Sequence, residues 1–502
     1  MSRLSASALA ALTLLPSGGE AFAATTDEKT PNIVWIMADD MGIGDLGCYG
    51  QRIIQTPNID SLAAHGMKFM QHYAGSTVSA PSRCSLLTGF HMGHAQIRAN
   101  AKVLGNDGLL YETPLASDAF TVADLLARHG YANGCCGKWG LGGPGTEGEP
   151  LRHGFHYFYG YLGQKFAHSY YPTFLHENNT KVILDGTVWS HNLILEHALG
   201  FIRDNASGPF FLYYTPTIPH ADLDIPEEAL AFYRDKIPEI PYLGSPGGYK
   251  AQPEPRAAYA AMVNRLDSSV GEIMALLEEL GIMKNTIVVF TSDNGVHAEG
   301  GHDPYAFDSN GPWRGQKRDL YEGGVRTPFV VRWPGHIAEG VISTNISTFW
   351  DFPPTIAELV GEEAPEGDGI SYLPTLLGKE EQRKHDCIYY EFYEQGGKQS
   401  VLTPDGWKLI RLHAFDDKPV VEELYNLLDD PAETSNLARQ NPDVADRLRE
   451  MMDACHTPCV MVICRLSSTT TPMSSMGIVV VAERLNDSGK SFFSTSGSFI
   501  TN

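Results

Sequence analysis

The residues Asn32-Ile33-Val34-Trp35-Ile36-Met37-Ala38-Asp39-Asp40 decide the fold class of this chain. A nearly continuous apolar run with no polar alternation reads as a strand covered on both faces, as in a parallel sheet. It ends in two carboxylates and a glycine-rich loop. Residues 210–214 repeat the pattern and end at Thr215-Pro216, with His220 just beyond. Residues 286–290 give a third such strand, closed by Thr291-Ser292-Asp293-Asn294-Gly295. Helical periodicity falls between them, at Pro57–Ala64, 121–127 and 257–280. This alternation predicts an open α/β sheet, in which ligands bind outside the carboxyl ends of the strands. Asp39, Asp40, His220, Asp293 and Asn294, far apart in sequence, are therefore expected on one rim.

A second stretch supplies a nucleophile for that rim. Residues 79–89 read Ser-Ala-Pro-Ser-Arg-Cys-Ser-Leu-Leu-Thr-Gly. Proline is favoured at the first helical position, so a helix is expected to start near Pro81 and aim the backbone N–H groups of residues 82–85 at whatever sits beside Ser79. Arg83 adds a forked donor suited to a tetrahedral anion. Asp39, Asp40, Asp293 and Asn294 offer only oxygen donors, which suits Ca²⁺ or Mg²⁺ better than zinc. Adjacent aspartates at a strand end repel each other unless a cation lies between them. Asx turns alone would account for either acidic segment taken by itself.

Composition bounds the rest. The chain has 502 residues, 43% of them hydrophobic, enough for one large α/β domain with an appendage or for two or three domains. With 37 basic and 60 acidic residues its net charge is −23, which argues against general nucleic-acid binding. An acidic body also repels anionic substrates at long range, so an anion site needs local positive charge. At the N-terminus, Arg3, an apolar stretch over residues 6–15 and Ala21-Phe22-Ala23 form the pattern of a secretory signal over residues 1–23. A mature chain starting near Ala24, exported to a periplasm or the exterior, is expected. No later segment is apolar for long enough to span a bilayer. Eight cysteines are spaced without the regularity of a dense disulfide framework. Cys455, His456, Cys459 and Cys464 lack the second spaced pair of a zinc site.

The segment Ser79-x-Pro81-Ser82-Arg83, extended by Leu87-Thr88-Gly89, resembles the signature of the formylglycine-dependent sulfatases, and the resemblance runs from Pro31 to about Pro458. It implies an alkaline-phosphatase-like α/β sandwich with a largely parallel central sheet and a smaller C-terminal α+β subdomain. It also implies that Ser79 is oxidised to Cα-formylglycine by a maturase of the radical, oxygen-independent type, and that one Ca²⁺ is held by Asp39, Asp40, Asp293, Asn294 and the modified Ser79. Serine is a weak nucleophile at neutral pH, and the metal-bound hydrate of the aldehyde is an activated one. In the family, Lys138 of Gly-Lys-Trp-Gly-Leu-Gly matches the lysine on the sulfate. His220 matches the histidine beside the ester oxygen, as general acid, and Lys317 the lysine bridging sulfate and leaving group. The family commonly has histidine where Gly140 stands, which leaves the base for sulfate elimination open. His91 and His94 are candidates to replace it. Asp308 and Arg314, in Phe307-Asp-Ser-Asn-Gly-Pro-Trp-Arg-Gly315, and Arg98 and Asn100 are candidates to read sugar hydroxyls.

The expected activity is hydrolysis of a sulfated carbohydrate, of galactose or N-acetylgalactosamine type before glucosamine type. A phosphomonoesterase or phosphodiesterase of the same superfamily and a catalytically silent binder of sulfated glycans are the competing readings. The organisation expected along the chain is a catalytic domain over residues 24–380 and an α+β subdomain over 381–458. The latter is expected to have short antiparallel strands at 387–392, 408–412 and 423–427 and a closing helix at 444–452. Residues 459–502 read as a tail that suits a hairpin, a disordered end or a shifted reading frame equally.

Overall fold

Ten strands form one sheet: β1 (Asn32–Ala38), β2 (Met67–Phe69), β3 (Ala132–Lys138), β4 (Tyr157–Tyr161), β5 (Phe174–Glu177), β6 (Thr180–Ile183), β7 (Phe210–Thr215), β8 (Thr286–Ser292), β9 (Phe329–Arg332) and β10 (Val341–Ser343). Their spatial order is β10-β2-β9-β8-β1-β7-β3-β4-β5-β6. The five in the middle, β8-β1-β7-β3-β4, are all parallel, and antiparallel pairing begins at β9 on one side and β5 on the other. This computed structural model describes residues 30–105, 107–458, 460–465, 477–485 and 491–498; the signal-sequence reading of residues 1–23 lies outside them.

The apolar run of β1 has the two-faced burial its composition implied. Ile33, Trp35 and Met37 enter one core with helices α2 (Ser79–Thr88), α3 (Val122–Arg128) and α6 (Phe352–Val360). Val34, Ile36 and Ala38 enter the opposite core with α1 (Pro57–Ala64), α4 (Ser190–Asn205) and α5 (Pro255–Glu279). Trp35 is fully buried, with its ring 4.3 Å from that of Phe352. Truncating such a side chain costs about 3–5 kcal/mol. Thr121 caps α3 by accepting from the Asp124 N–H while Asp124 reaches back to the Thr121 N–H, a reciprocal capping box.

Beyond α6 the chain forms an antiparallel meander of β11 (Ile388–Phe392), β12 (Lys398–Leu402), β13 (Trp407–Leu412) and β14 (Val421–Asn426), followed by α7 (Pro442–Cys455). The sequence reading lacked β12, whose Lys-Gln-Ser-Val-Leu is half polar and follows two glycines. One face of this sheet, with Tyr389, Val401, Leu409 and Leu424, packs on Ala445, Leu448 and Met452 of α7. Ile388, Tyr390, Phe392 and Leu402 turn the other way, into the core shared with Trp35. After α7, residues 460–465, 477–485 and 491–498 pair as a three-stranded antiparallel meander. Among the described residues no helix is long and apolar enough to cross a membrane.

His385, just before β11, sits 2.8 Å from Asp351 Oδ1, and Asp351 also accepts the Thr348 and Ile370 N–H groups. Although burial opposes it, Asp351 raises the His385 pKa above its usual value. A raised folded-state value means the stabilisation is fully present below about pH 6.5 and is lost as pH rises through the folded value. Urea unfolding of His385→Asn against the parent should therefore show a larger loss of stability at pH 6 than at pH 9.

Candidate active site

The carboxyl ends of β1, β3, β7 and β8 converge on the N-terminus of α2. Asp39 and Asp40 follow β1, Lys138 ends β3, His220 lies five residues past Thr215 at the end of β7, and Asp293 and Asn294 follow β8. All six are buried, as are Ser79, Arg83 and Lys317. The parallel register makes this unavoidable: Ala38 is opposite Ser292, and Ile36 is opposite both Phe290 and Tyr214, so the three strands end together.

Ser79 Oγ donates to Asp39 Oδ1 at 3.2 Å and accepts from Lys138 Nζ at 3.1 Å. Lys138 also grips both Asp39 oxygens, at 2.9 and 2.7 Å. Arg83, one turn along α2, donates Nη2 to Asp293 Oδ2 at 2.9 Å and Nη1 to the Lys138 carbonyl at 2.7 Å. Lys317 Nζ donates to Asp40 Oδ2 at 2.6 Å and to His220 Nε2 at 3.0 Å. Asp40 has a left-handed φ of +63°, unusual for a residue with a side chain. Its N–H on Asp293 Oδ1 and the Met41 N–H on Ser292 Oγ hold that turn, at 3.0 and 2.9 Å.

The electrostatics follow from burial. Asp40 is desolvated, yet the Lys317 ammonium 2.6 Å away holds it well below the usual carboxylate range. Asp293 goes the other way, raised by burial and by the charge of Asp39 against the pull of Arg83. Burial, then Lys317, pushes His220 down to about 3. The imidazole is thus neutral, with Nδ1–H on the Ala221 carbonyl and Nε2 accepting from Lys317.

The donor set fits a divalent cation. Asn294 Nδ2 is spent on Asp40 Oδ1 and the Gly295 carbonyl, while its Oδ1 is buried without a partner. An unpartnered buried acceptor beside three buried carboxylates is what a hard cation satisfies. Asp39, Asp40 and Asp293 are balanced by Lys138, Lys317 and Arg83, so a divalent ion leaves the site net positive, as an anionic ester requires.

Several expected residues lie elsewhere. α2 begins at Ser79, two residues before Pro81, so the Ser82 N–H is already bonded to the Val78 carbonyl at 3.2 Å; the proline is inside the first turn and the N–H groups of 82–85 serve the helix. His91 and His94 sit past the C-terminal end of α2 against Asp368, with His94 Nδ1 2.8 Å from its Oδ1; a whole helix separates them from Ser79, so neither is the elimination base. Arg98 is buried on Glu391 at 2.7 Å and on Thr457, anchoring a loop instead of facing a sugar. Asn100 accepts from the Ala80 N–H at 3.1 Å and so caps the nucleophile helix. Asp308 ends the short helix Pro304–Phe307 with a φ of +54°. Arg314 lies over the Tyr321 ring and donates to Tyr425 Oη and the Glu433 carbonyl, fastening the C-terminal sheet.

Three residues escaped the sequence reading. Glu299 binds Lys317 at 3.1 Å, Arg318 at 2.6 Å and the Tyr249 hydroxyl at 2.7 Å; its place five residues after Asn294 was a usable signal. His168 stacks on His220 with ring centroids 4.6 Å apart. Gln164 fills the space at Gly140: a Cβ on that glycine would stand 3.1 Å from Gln164 Nε2 and 3.2 Å from its Cγ, and Nε2 donates to Asn100. Neither His168 nor Gln164 carries a local sequence signal. A cavity of about 690 Å³ between β2, Trp313 and the C-terminal sheet includes none of these residues.

A hydroxyl and three cationic side chains gathered on a carboxylate rim of an alkaline-phosphatase-like sheet are the equipment of a hydrolase for anionic esters. The comparisons with known proteins give the family. The sulfatase family profile matches residues 31–362, and a profile described as N-sulphoglucosamine sulphohydrolase, C-terminal, matches residues 313–457. The N-acetylgalactosamine-6-sulfatase of Rattus norvegicus is 33% identical over 435 residues, covering 80% of this chain and 73% of that protein. The N-acetylgalactosamine-6-O-sulfatase of Bacteroides thetaiotaomicron is 31% identical over 507 residues, covering 86% and 94%. Among solved structures, Ps i-CgsB in complex with k-i-k-neocarrahexaose superposes with a TM-score of 0.70 at 27% identity, covering 85% of this chain and 93% of that one. The chain belongs to the sulfatase family and is a sulfuric ester hydrolase.

Proposed function

We propose that this enzyme removes sulfate from a sulfated carbohydrate of galactose or N-acetylgalactosamine type, with Ser79 matured to Cα-formylglycine as its nucleophile. The observation that carries the reading is the position of Ser79 Oγ, within 3.2 Å of both Asp39 and Lys138 at the head of α2. Asp39, Asp40, Asp293, Asn294 and the residue at 79 would hold one Ca²⁺, with Mg²⁺ as the second choice. The oxidised side chain and the ion together supply an activated oxygen at neutral pH. A maturase of the radical type would act on Ser79 before or during export.

The chain's own residues do the rest. Arg83 and Lys138 orient the sulfate against the nucleophile. Lys317 and His220 share one proton across 3.0 Å, and delivering it through His220 Nε2 to the departing sugar oxygen leaves Lys317 to take the next one. His168, stacked over His220, restricts the imidazole's rotation. Removing one preorganised cationic donor in such a site costs about 3 kcal/mol, roughly a hundredfold in rate. Sugar identity rests on the named activities of the relatives from Rattus norvegicus and Bacteroides thetaiotaomicron.

The test is a panel of defined sulfated monosaccharides assayed with enzyme co-expressed with a radical maturase. Sulfate release from galactose or N-acetylgalactosamine esters, faster than from glucosamine esters, is the expected outcome. A preference for aryl phosphate over every sulfate ester would refute it. Chelation should abolish turnover and Ca²⁺ should restore it.

A further inference from the structure

The last residue of α7, Cys455, and the residue preceding the edge strand β11, Cys387, place their sulfurs 3.7 Å apart, and both side chains are partly exposed. The other cysteines with described side chains offer no such pairing. Cys84, Cys135 and Cys136 are buried, and Cys135 and Cys136 face opposite cores. Cys48 lies beside Asp60 and Lys68.

The surroundings of the pair are built. The Cys455 thiol lies against the His91 imidazole, with His94 close by. His91 Nδ1 accepts the Gly93 N–H at 3.0 Å, so the ring proton sits on Nε2. That tautomer leaves no free lone pair on the ring, which argues against a metal ion among His91, His94 and Asp368 even though their ligand atoms lie within 4.8 Å of one another. Gly93 cannot be anything larger, since a Cβ there would stand 2.0 Å from the Cys455 carbonyl. Loop 91–94 and the end of α7 are thus locked together, and Cys455 has a fixed position. The two thiols are unequal. Cys387 donating to it, aided by His91 and His94, lowers the Cys455 pKa against burial, and the same hydrogen bond together with burial raises that of Cys387.

We propose that Cys387 and Cys455 are a disulfide-forming site, with Cys455 the attacking thiolate and Cys387 the resolving thiol. The oxidant is a small-molecule disulfide such as oxidised glutathione. Cys455 Sγ attacks one of its sulfurs, the S–S bond breaks and one thiolate leaves. Cys387 then loses its proton to solvent and attacks Cys455 Sγ, expelling the second thiolate. Two protein thiols are oxidised, one disulfide is reduced to two thiols, and those take up the two protons. Closing the sulfurs from 3.7 Å to a bond length near 2.05 Å is the movement required. The bond would fasten β11, which carries Glu391, to the segment bearing Thr457, and these are the two anchors of Arg98. It is independent of the sulfatase chemistry.

The experiment uses the full chain, reduced, desalted, exposed to oxidised glutathione and mapped without reduction. A peptide linking Cys387 to Cys455, an intact mass lower by two hydrogens and an unfolding midpoint higher by roughly 3–6 °C are expected. In Cys387→Ser, Cys455 should retain bound glutathione, while in Cys455→Ser, Cys387 should stay a free thiol. Linkage through any other cysteine, Cys459 included, equal adducts on both single variants, or two thiols still free after oxidation would overturn the proposal.

Discussion

Replacing Ser79 by alanine lowers sulfate-ester turnover by about 10⁴-fold or more, because the remaining oxygens of the cluster belong to carboxylates tied to Lys138, Lys317 and Arg83. Lys138 and Asp39, its two partners, already satisfy each other at 2.7 Å, so the loss of Oγ strands neither of them. The fold therefore survives: forfeiting two hydrogen bonds at a site whose partners stay paired costs about 1 kcal/mol. Circular dichroism and the urea midpoint should match the parent within that margin, separating lost chemistry from lost structure. The matured parent should also show its residue-79 peptide two hydrogens lighter than the gene-encoded serine. An alanine variant that kept a tenth of the parent's rate would end the assignment of Ser79.

Replacing Lys408 by methionine should be the most destabilising single change outside the two cores. Its ammonium is buried 2.8 Å from Glu322 Oε1 and 2.9 Å from Glu433 Oε1, the latter off the direction of a hydrogen bond. Glu322 keeps Arg326 and the Tyr73 hydroxyl, whereas Glu433 is left with the Glu322 N–H alone. Breaking a buried pair in this way costs about 3–5 kcal/mol, measured as a fall in the urea midpoint. The pH dependence has a definite sign. Burial already raises Glu433, with Lys408 opposing, and without the lysine its folded pKa rises further. A raised carboxyl gives stability that is present at acid pH and lost as pH climbs through the folded value. The penalty should thus be smaller at pH 5 than at pH 8, and adding Glu433→Gln should recover much of it. Activity should fall as well, because Glu322-Gly323-Gly324 packs on the turn carrying Asn294. A Cβ on Gly295 would meet the Gly323 carbonyl at 2.0 Å.

Much of this was readable in the chain. The doubly apolar run at β1 announced a parallel sheet, and parallel register alone brings Asp39, Asp40, Asp293 and Asn294 to one rim. Lys138, His220 and Lys317 were pointed to by the resemblance to the sulfatases and not by spacing or composition, and the structure brings them to the same rim as Ser79 and Arg83. What failed did so for want of long-range information. His91, His94, Arg98 and Arg314 are polar residues on glycine-rich loops, and their partners Asp368, Glu391, Thr457 and Glu433 lie between 119 and 359 positions away in sequence. The start of α2 was misplaced because Pro81 reads as a first helical residue but sits in a turn already fixed by Val78. His168 and Gln164 have roles that exist only once the chain beyond β4 is folded against the carboxyl ends of β3 and β7.

Gly140 and Gln164 together constrain what position 140 can hold. Position 140 has a φ of +78°, where any side chain costs about 1–2 kcal/mol, and the glutamine already occupies the room a side chain would need. A Gly140→His substitution would meet both a left-handed backbone and the Gln164 side chain, which would have to shift to make room. A bulkier residue at 140 would therefore be accommodated best together with a smaller one at 164, so that the two positions act as one packing unit beside Asn100, which caps the nucleophile helix.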